Sequence, residues 1–229
     1  MPHSVTITAI IPVHNGERFL AEAIGSVLAQ TLPPDEIIVV DDGSTDGSAT
    51  VAGRFERVLV VRQPHCGIGA ALNLAINHAN GDFLAFLDAD DRWLPDKLAN
   101  QVNVLTADPT VDMVFGHVRQ FREVDGGGEI ELSSESQPGL SRYALLVRRS
   151  AFDRVGIFSD DLHTHSFMDW YLRAMEAGLK YLMLPDVVAE RRIHANNLGR
   201  RTPDEQRRSY MQTLRQSMAR RRSGDIAAL

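Results

Sequence analysis

Three acidic residues follow a short apolar segment near the middle of the chain. The segment runs from Asp82 to Leu87, and Asp88, Asp90 and Asp91 come directly after it. Because alternate residues of an extended chain point to opposite faces, one of these carboxylates can bind a cation directly while another acts through water or a ribose. Mg²⁺ and Mn²⁺ take carboxylate oxygens together with substrate phosphates. An Asp-rich turn has the same composition, so the motif alone leaves a polar turn as the alternative.

Two further polar segments also follow apolar runs. Asp41 and Asp42 end the run that begins at Glu36, and two adjacent carboxylates could accept hydrogen bonds from a nucleobase N–H and a ribose hydroxyl. His14 comes soon after the run at 5–11 and could pack against a base. Taken singly, a capped turn explains the acidic pair better, and simple exposure explains His14.

The elements that must position these residues alternate through the first half of the chain. β-Branched runs are predicted as strands, and the segments between them repeat apolar residues at helical spacing. The predicted strands are 5–11, 36–40, 58–61 and 82–87, and the predicted helices include 19–28, 67–78 and 95–105. This order predicts a mostly parallel sheet with helices on both faces. Since ligands of such folds bind beyond the carboxyl ends of the strands, the three polar segments are expected at one edge.

The second half of the chain has a different pattern. Residues 113–124 are predicted as a long strand, and 181–189 as a strand interrupted at Pro185. Between them, Gly and Ser are frequent from 125 to 139, which predicts a mobile loop near the site. Helices are predicted over 150–155 and 167–177 and from Thr202 onward.

The composition is that of a soluble globular protein, with 44% hydrophobic and 24% charged residues. No apolar run approaches the ~18 residues of a membrane span, no secretory signal pattern is visible, and one cysteine excludes a disulfide framework. We therefore expect a cytoplasmic protein.

The charge is unevenly distributed along the chain, since residues 1–190 carry 14 basic and 27 acidic residues, whereas residues 191–229 carry 10 basic and 3 acidic residues. An acidic body disfavours a nucleic-acid partner. The basic C-terminal helix could contact the inner face of a membrane, an acidic acceptor or a second subunit of a homodimer.

Four segments, taken together, resemble the family 2 glycosyltransferases of the GT-A fold. They are Ile10-Ile-Pro-Val-His-Asn15, Ser26-Val-Leu-Ala-Gln-Thr31, the stretch 36–46 and the stretch 81–91. They occur in order at matching spacing, and the resemblance runs from about Val5 to about Asn197. It implies a Rossmann-like α/β fold with a mostly parallel central sheet, helices on both faces, a small antiparallel part on the acceptor side and a C-terminal helix.

The resemblance also implies a domain plan and a reaction. A GT-A domain is expected over 1–199, with a nucleotide-sugar half at 1–110 and an acceptor half at 111–199, followed by a basic helical tail at 200–229. The reaction is an inverting transfer of a sugar from a nucleoside diphosphate, usually a UDP-sugar, to an acceptor hydroxyl. The acceptor could be a glycan, a lipid-linked molecule or a peptide.

The resemblance assigns roles to individual residues of the first half. Its nucleotide-binding positions fall on Pro12, His14, Glu17, Asp41, Asp42 and Asp88. Asp42 would read the base, and Asp41 would lie nearby. Asp88 and Asp90 match the motif that holds Mn²⁺ or Mg²⁺, with Asp90 as the direct ligand.

Later in the chain, the resemblance places the general base at Asp169, at the predicted start of a helix. The helix dipole keeps a carboxylate there ionised, and a helix cap is its alternative role. Arg192 and His194 match an Arg-x-His-x-x-Asn segment and are expected over the pyrophosphate, where His194 could also complete the metal shell. Trp93 and Trp170 flank the predicted site and either stack on sugar rings or belong to the core.

Two other functions stay open at this point. A sugar nucleotidyltransferase would need a Gly-rich, basic triphosphate loop after the first strand, and this chain has Pro-Val-His-Asn-Gly-Glu there. A non-catalytic module would bind the nucleotide sugar without turning it over. The family's Ala-Arg-Asn is Ala71-Leu72-Asn73 here, so that arginine contact to the donor is absent and the preference for base and sugar is left open.

Overall fold

A computed structural model describes residues 5–123, 130–160, 166–194, 197 and 203–223. The glycine-rich break predicted at 125–128 and the first residues of the predicted tail, 200–202, lie outside this part of the chain. Within it, the strands form one sheet. No helix of the described part is long and apolar enough to cross a membrane.

The sheet is parallel on one side and mixed on the other. Its strands are β1 (Ile7–Val13), β2 (Glu36–Asp42), β3 (Val58–Gln63), β4 (Phe83–Phe86), β5 (Arg92–Trp93), β6 (Met113–Glu123), β7 (Ile130–Pro138), β8 (Leu146–Arg148) and β9 (Tyr181–Arg192). The order is β3-β2-β1-β4-β8-β6-β9-β5, and β7 pairs with β6. Strands β3, β2, β1 and β4 are parallel, whereas β8 runs antiparallel to both β4 and β6. The predicted mostly parallel sheet with an antiparallel part is confirmed.

Helices cover both faces of this sheet. They are α1 (Glu17–Leu28), α2 (Ser48–Ala52), α3 (Ile68–His78), α4 (Lys97–Ala107), α5 (Ser150–Val155), α6 (Ser166–Glu176) and α7 (Pro203–Ser223). Neighbouring residues of β1 enter opposite cores: Ile11 lies in the cluster with Leu20 of α1, and Ile10 in the cluster with Leu72 of α3. This alternation is the reason that the strands read as continuous apolar runs in the sequence.

Two predicted boundaries are wrong, and both errors have a backbone explanation. Residues 133–139, expected as part of a mobile loop, lie almost entirely in β7, an exposed strand that is hydrogen-bonded along β6 despite its polar sequence. Pro185 does not interrupt β9 because the pairing register with β6 shifts between Phe115 and His117. A bulge of this kind accommodates a residue that has no N–H to donate.

Candidate active site

Three polar segments meet at the carboxyl edge of the parallel strands. In the register of the sheet, Val13 of β1 pairs with Asp41 of β2, and the Leu87 amide after β4 donates to the carbonyl of Ile10. The loop after β1 also touches the acidic segment, since a Cβ added at Gly16 would lie 3.5 Å from the Cβ of Ala89. The sequence therefore places His14, the acidic pair and the Asp88–Asp91 turn at one edge, as the strand order requires.

The acidic turn crowds three carboxyl groups together. One ligand oxygen from each of Asp88, Asp90 and Asp91 lies within 4.8 Å of the others, and the Asp91 amide closes the turn on the Asp88 carbonyl at 3.0 Å. Burial raises the pKa of Asp88, an effect that the Arg142 charge opposes and that Asp90 reinforces. Burial and repulsion from Asp88 and Asp90 raise the pKa of Asp91 well above its usual value.

This donor set fits a hard divalent cation. Carboxylate oxygens are the ligands that Mg²⁺ and Mn²⁺ prefer. A bound cation would neutralise the negative charge of the three carboxylates and so relieve their mutual repulsion. Asp90 is the centre of the arrangement, since its Oδ2 lies 3.0 Å from Nε2 of His194 and accepts the Asn197 amide at 3.1 Å. The structure thus brings His194 to the acidic turn, and it adds Asn197, to which the sequence assigns no role.

Arg142 is a second residue of the site that the sequence leaves without a role of its own. It lies in a 3₁₀ turn, Arg142–Ala144, and donates from both Nε and Nη2 to Oδ1 of Asp88, each at 2.7 Å. The contact joins the acidic turn to the segment before β8, so it depends on tertiary structure rather than on a local motif.

Arg192, predicted to lie over the pyrophosphate, is buried beside the acidic turn. Its side chain is 2% exposed and lies between the rings of Phe19 and Phe121, 4.5 and 4.4 Å from their centroids. The guanidinium pairs with Glu22 and Glu123. Arg192 makes hydrogen bonds to two residues of the acidic turn and so acts as a positioning residue. Its amide donates to Asp91 Oδ1 at 2.8 Å and its Nε to the Asp90 carbonyl at 2.9 Å.

The neighbouring residue, Arg191, directs its side chain to the opposite face of β9. Successive residues of a strand point to opposite faces, so Arg191 and Arg192 cannot serve the same side of β9. The charge of Arg191 acts on the carboxylates of Asp88 and Asp91. Strand alternation, applied to a strand that extends to Arg192, would have identified Arg191 as the arginine on the site side.

The acidic pair of β2, predicted to read the base, is buried and hydrogen-bonded to the loops around it. Asp41 is fully buried and accepts the Ser44 amide at 2.9 Å and Arg62 Nε at 3.0 Å. The two oxygens of Asp42 accept three hydrogen bonds, from the Gln63 side chain and the amides of Cys66 and Gly67, and Nδ1 of His65 lies 2.9 Å from Oδ2. Burial acts to raise the pKa of Asp42, but these donors hold it below its usual value. Both carboxylates thus tie the loop after β2 to its neighbours.

The remaining residues of the first loop have different surroundings. Pro12 is buried inside β1, where it pairs in register with Val40. Glu17 begins α1 and accepts the Gly47 amide at 2.9 Å, which ties the loop after β1 to the loop after β2. His14 is exposed, and its ring stacks on that of His65 with centroids 4.0 Å apart. Of the predicted nucleotide residues in the first two loops, His14 is therefore the one with an exposed ring at the site edge.

Asp169, predicted as the general base, is held by two arginines in this structure. Its side chain is 4% exposed, and each oxygen accepts from an arginine: Oδ2 from Arg173 Nε at 2.8 Å, and Oδ1 from Arg220 Nη1 at 3.3 Å. It is the fourth residue of α6 and lies in the first turn of that helix. Because Arg220 belongs to α7 and also pairs with Glu176, Asp169 is part of an ionic contact that joins the two helices.

Both tryptophans are buried in the core. Trp170 is fully buried, stacks on Phe152 at 4.7 Å and donates to the Gly156 carbonyl. Trp93 is 3% exposed, and its indole N–H donates to the Tyr143 carbonyl at 3.0 Å. Of the two roles that the sequence left open for them, core packing is the one observed.

Comparison with known proteins assigns the family. The model of glycosyl transferase family 2 matches residues 8–159, which include the loop after β1, the acidic pair and the acidic turn. The chain belongs to glycosyl transferase family 2. An uncharacterised glycosyltransferase of Rickettsia typhi is 30% identical over 186 residues, which are 74% of this chain and 58% of that protein. The chain thus spans less than two thirds of the length of that relative.

Solved glycosyltransferases share the fold at lower identity. Residues 1–349 of S. aureus TarS, in complex with UDP, match with a TM-score of 0.68 and 21% identity over 83% of this chain and 61% of that one. The mannosyltransferase PcManGT from Pyrobaculum calidifontis, in complex with GDP-Man and Mn²⁺, matches with a TM-score of 0.67 and 22% identity, covering 100% and 77% of the two chains. The family 2 chain therefore has the GT-A architecture that its motifs predict.

Proposed function

We propose that this family 2 chain transfers a sugar from a nucleoside diphosphate donor, a UDP-sugar, to an acceptor hydroxyl with inversion at the anomeric carbon. The observation that supports the proposal is the acidic turn itself. Asp88, Asp90 and Asp91 lie at the carboxyl edge of the parallel strands, beside the loop after β1, where α/β folds bind nucleotides.

Asp90 and Asp88 are the residues we propose to hold Mn²⁺ or Mg²⁺. A divalent cation bound there supplies positive charge beside the diphosphate that leaves. His194 and Asn197 fix the orientation of the Asp90 carboxylate through Oδ2. Arg191 adds a fixed positive charge on the same side of the sheet.

In the proposed reaction, the acceptor oxygen forms a bond to the anomeric carbon as the bond from that carbon to the diphosphate oxygen breaks. The diphosphate keeps the electron pair of the broken bond. The acceptor proton passes to solvent water, since in this structure the Asp169 carboxylate is engaged with Arg173 and Arg220. We therefore propose that Asp169 stabilises α6 against α7 and is not the proton acceptor.

The choice of UDP rests on similarity and is open to direct test. TarS is described in complex with UDP and with UDP-GlcNAc, whereas PcManGT is described with GDP-Man and Mn²⁺. Incubation of the full chain with a panel of UDP- and GDP-sugars and Mn²⁺, with released nucleotide as the readout, would identify the donor. We expect release from UDP-sugars that depends on Mn²⁺ or Mg²⁺. UDP binding without release, even with candidate glycan, lipid-linked and peptide acceptors, would support the non-catalytic module instead.

A further inference from the structure

Helix α7 packs against the rest of the protein through polar residues. Thr213 is fully buried, and Ser217 is 5% exposed. Ser217 donates from Oγ to Oε1 of Glu176 at 2.5 Å, and Arg220 donates from Nε to the other oxygen of that carboxylate at 2.7 Å. A surface helix of a globular protein normally turns its apolar residues toward the core. In α7 the buried side is polar instead.

Two methionines lie on the solvent side of this helix. Met211 and Met218 are 45% and 52% exposed. They are seven residues apart, which places them within about 20° of each other around the helix axis. Because removal of apolar surface from water is favourable, a partner that covers both side chains gains binding free energy.

Three arginines surround these methionines. Arg207 and Arg208 precede Met211 by four and three residues, and Arg215 follows it by four and precedes Met218 by three. Residues three and four apart are neighbours on a helix surface, so the five side chains form one face, here called the Arg–Met face. All three arginines are exposed, and the sequence from Arg207 to Met218 has no acidic residue.

The Arg–Met face fits a surface that carries negative charge above an apolar layer. An arginine can hold its charged end at phosphate groups while its methylene groups cover apolar surface. Helices that lie in a membrane interface bind through buried apolar area together with attraction to anionic lipids. We propose that the Arg–Met face of α7 binds an anionic phospholipid surface, with the helix axis parallel to the membrane and the polar side of the helix remaining on α6.

Two other partners match this face less well. A two-fold symmetric contact with a second copy would bring Arg207, Arg208 and Arg215 against the same residues of that copy, and like charges repel. A nucleic acid would pair with the arginines but would leave the methionines without an apolar partner. The proposed membrane contact does not rest on the proposed transfer, and it is measurable without turnover.

The test is flotation of the full, tag-free chain with unilamellar vesicles. One set contains phosphatidylcholine alone, and the other contains equal parts of phosphatidylcholine and phosphatidylglycerol. We expect binding to the anionic vesicles alone. Binding should fall as the salt concentration rises from about 0.05 M to about 0.5 M, because salt screens the attraction between arginine and lipid phosphate.

Two variants separate the charged and apolar parts of the face. Arg207→Gln/Arg215→Gln should weaken binding to the anionic vesicles roughly 25-fold, since an arginine close to an anionic surface contributes about fivefold. Met211→Ser/Met218→Ser keeps the charge and should weaken binding at least about tenfold, because it removes the side chains that leave water.

The control with the same change in net charge is Arg54→Gln/Arg149→Gln. Both substituted residues are exposed and lie outside α7, so this variant should bind the anionic vesicles like the wild type. Thermal unfolding without vesicles should be the same in all four proteins, because every substituted side chain is exposed.

Absence of wild-type binding to the anionic vesicles, or wild-type binding in either α7 variant, would overturn the proposal. Sedimentation velocity and a titration with duplex DNA identify the other occupants. A dimer that is lost in Met211→Ser/Met218→Ser, without vesicle binding by the wild type, would assign the face to a second copy. DNA binding without vesicle binding would assign it to a nucleic acid.

Discussion

Asp90 is the residue on which the contacts of the acidic turn converge. His194 and Asn197 share its Oδ2, and Arg192 binds its carbonyl. We expect Asp90→Asn to weaken Mn²⁺ binding at least about tenfold, because the amide lacks the charge and one acceptor oxygen. Calorimetry with Mn²⁺ measures the change. The control is Asp153→Asn, which changes an exposed acid of α5 and should bind Mn²⁺ normally. Equal Mn²⁺ affinities in the two variants would contradict metal binding at Asp90.

The raised pKa values of Asp88 and Asp91 predict how metal binding depends on pH. A carboxyl whose pKa is higher in the folded than in the unfolded protein binds a proton on folding, so the metal-free protein loses stability as pH rises between these two values. A cation binds the ionised carboxylates and releases the proton. We therefore expect Mn²⁺ to raise Tm more at about pH 8 than at about pH 5. A pH-independent shift in Tm would contradict the crowding of the two groups.

At the scale of elements, Arg192 anchors the end of β9 to α1 and β6. Arg192→Met would leave Glu22 and Glu123 without their cation and remove the bond to the Asp90 carbonyl. We expect the free energy of unfolding to fall by about 1–3 kcal/mol, with the glutamate terms reduced by solvent, because both glutamates are partly exposed. Urea denaturation, followed by the fluorescence of the two buried tryptophans, measures this loss.

The control for that experiment is the adjacent arginine. Arg191→Met should leave stability almost unchanged, because the side chain lies on the other face of β9 and is partly exposed. It should instead weaken nucleotide binding, since it removes a positive charge beside the acidic turn. If both variants had the same stability as the wild type, the positioning role of Arg192 would be wrong.

The contact between α6 and α7 predicts the behaviour of Asp169. Asp169→Asn should lower the free energy of unfolding by about 1–3 kcal/mol, since a buried, charge-assisted pair is lost, and should change the rate of transfer less than tenfold. Arg220→Met should destabilise the protein in the same way. Removal of a general base lowers rates by about 10²–10⁴-fold, so a loss of that size with a stable fold would restore the base role.

At the scale of the whole molecule, the sequence predicts the fold better than it predicts the contacts of the site. Apolar periodicity fixes the order of the elements and so the shared edge for His14, Asp42 and Asp88. The roles predicted for individual residues are less reliable where a strand extends beyond its apolar segment. β2 continues through Asp42 and β9 through Arg192, which buries side chains expected in loops.

The remaining contacts depend on partners that are distant along the chain. Arg142 reaches Asp88 and Arg220 reaches Asp169, over separations of 54 and 51 residues, and no local pattern indicates either pair. The structure also explains part of the charge asymmetry between the body and the C-terminal segment. Arg220 of the basic segment forms ion pairs with two buried acids of the body, Asp169 and Glu176.

The most direct test of the central claim is calorimetric titration of UDP into the full chain with and without Mn²⁺, repeated with Asp90→Asn. A nucleotide site built on the acidic turn predicts UDP binding that Mn²⁺ strengthens at least about tenfold in the wild type and does not strengthen in the variant. UDP affinity that is the same with and without Mn²⁺, in both proteins, would contradict a metal-dependent nucleotide-sugar site at Asp88 and Asp90.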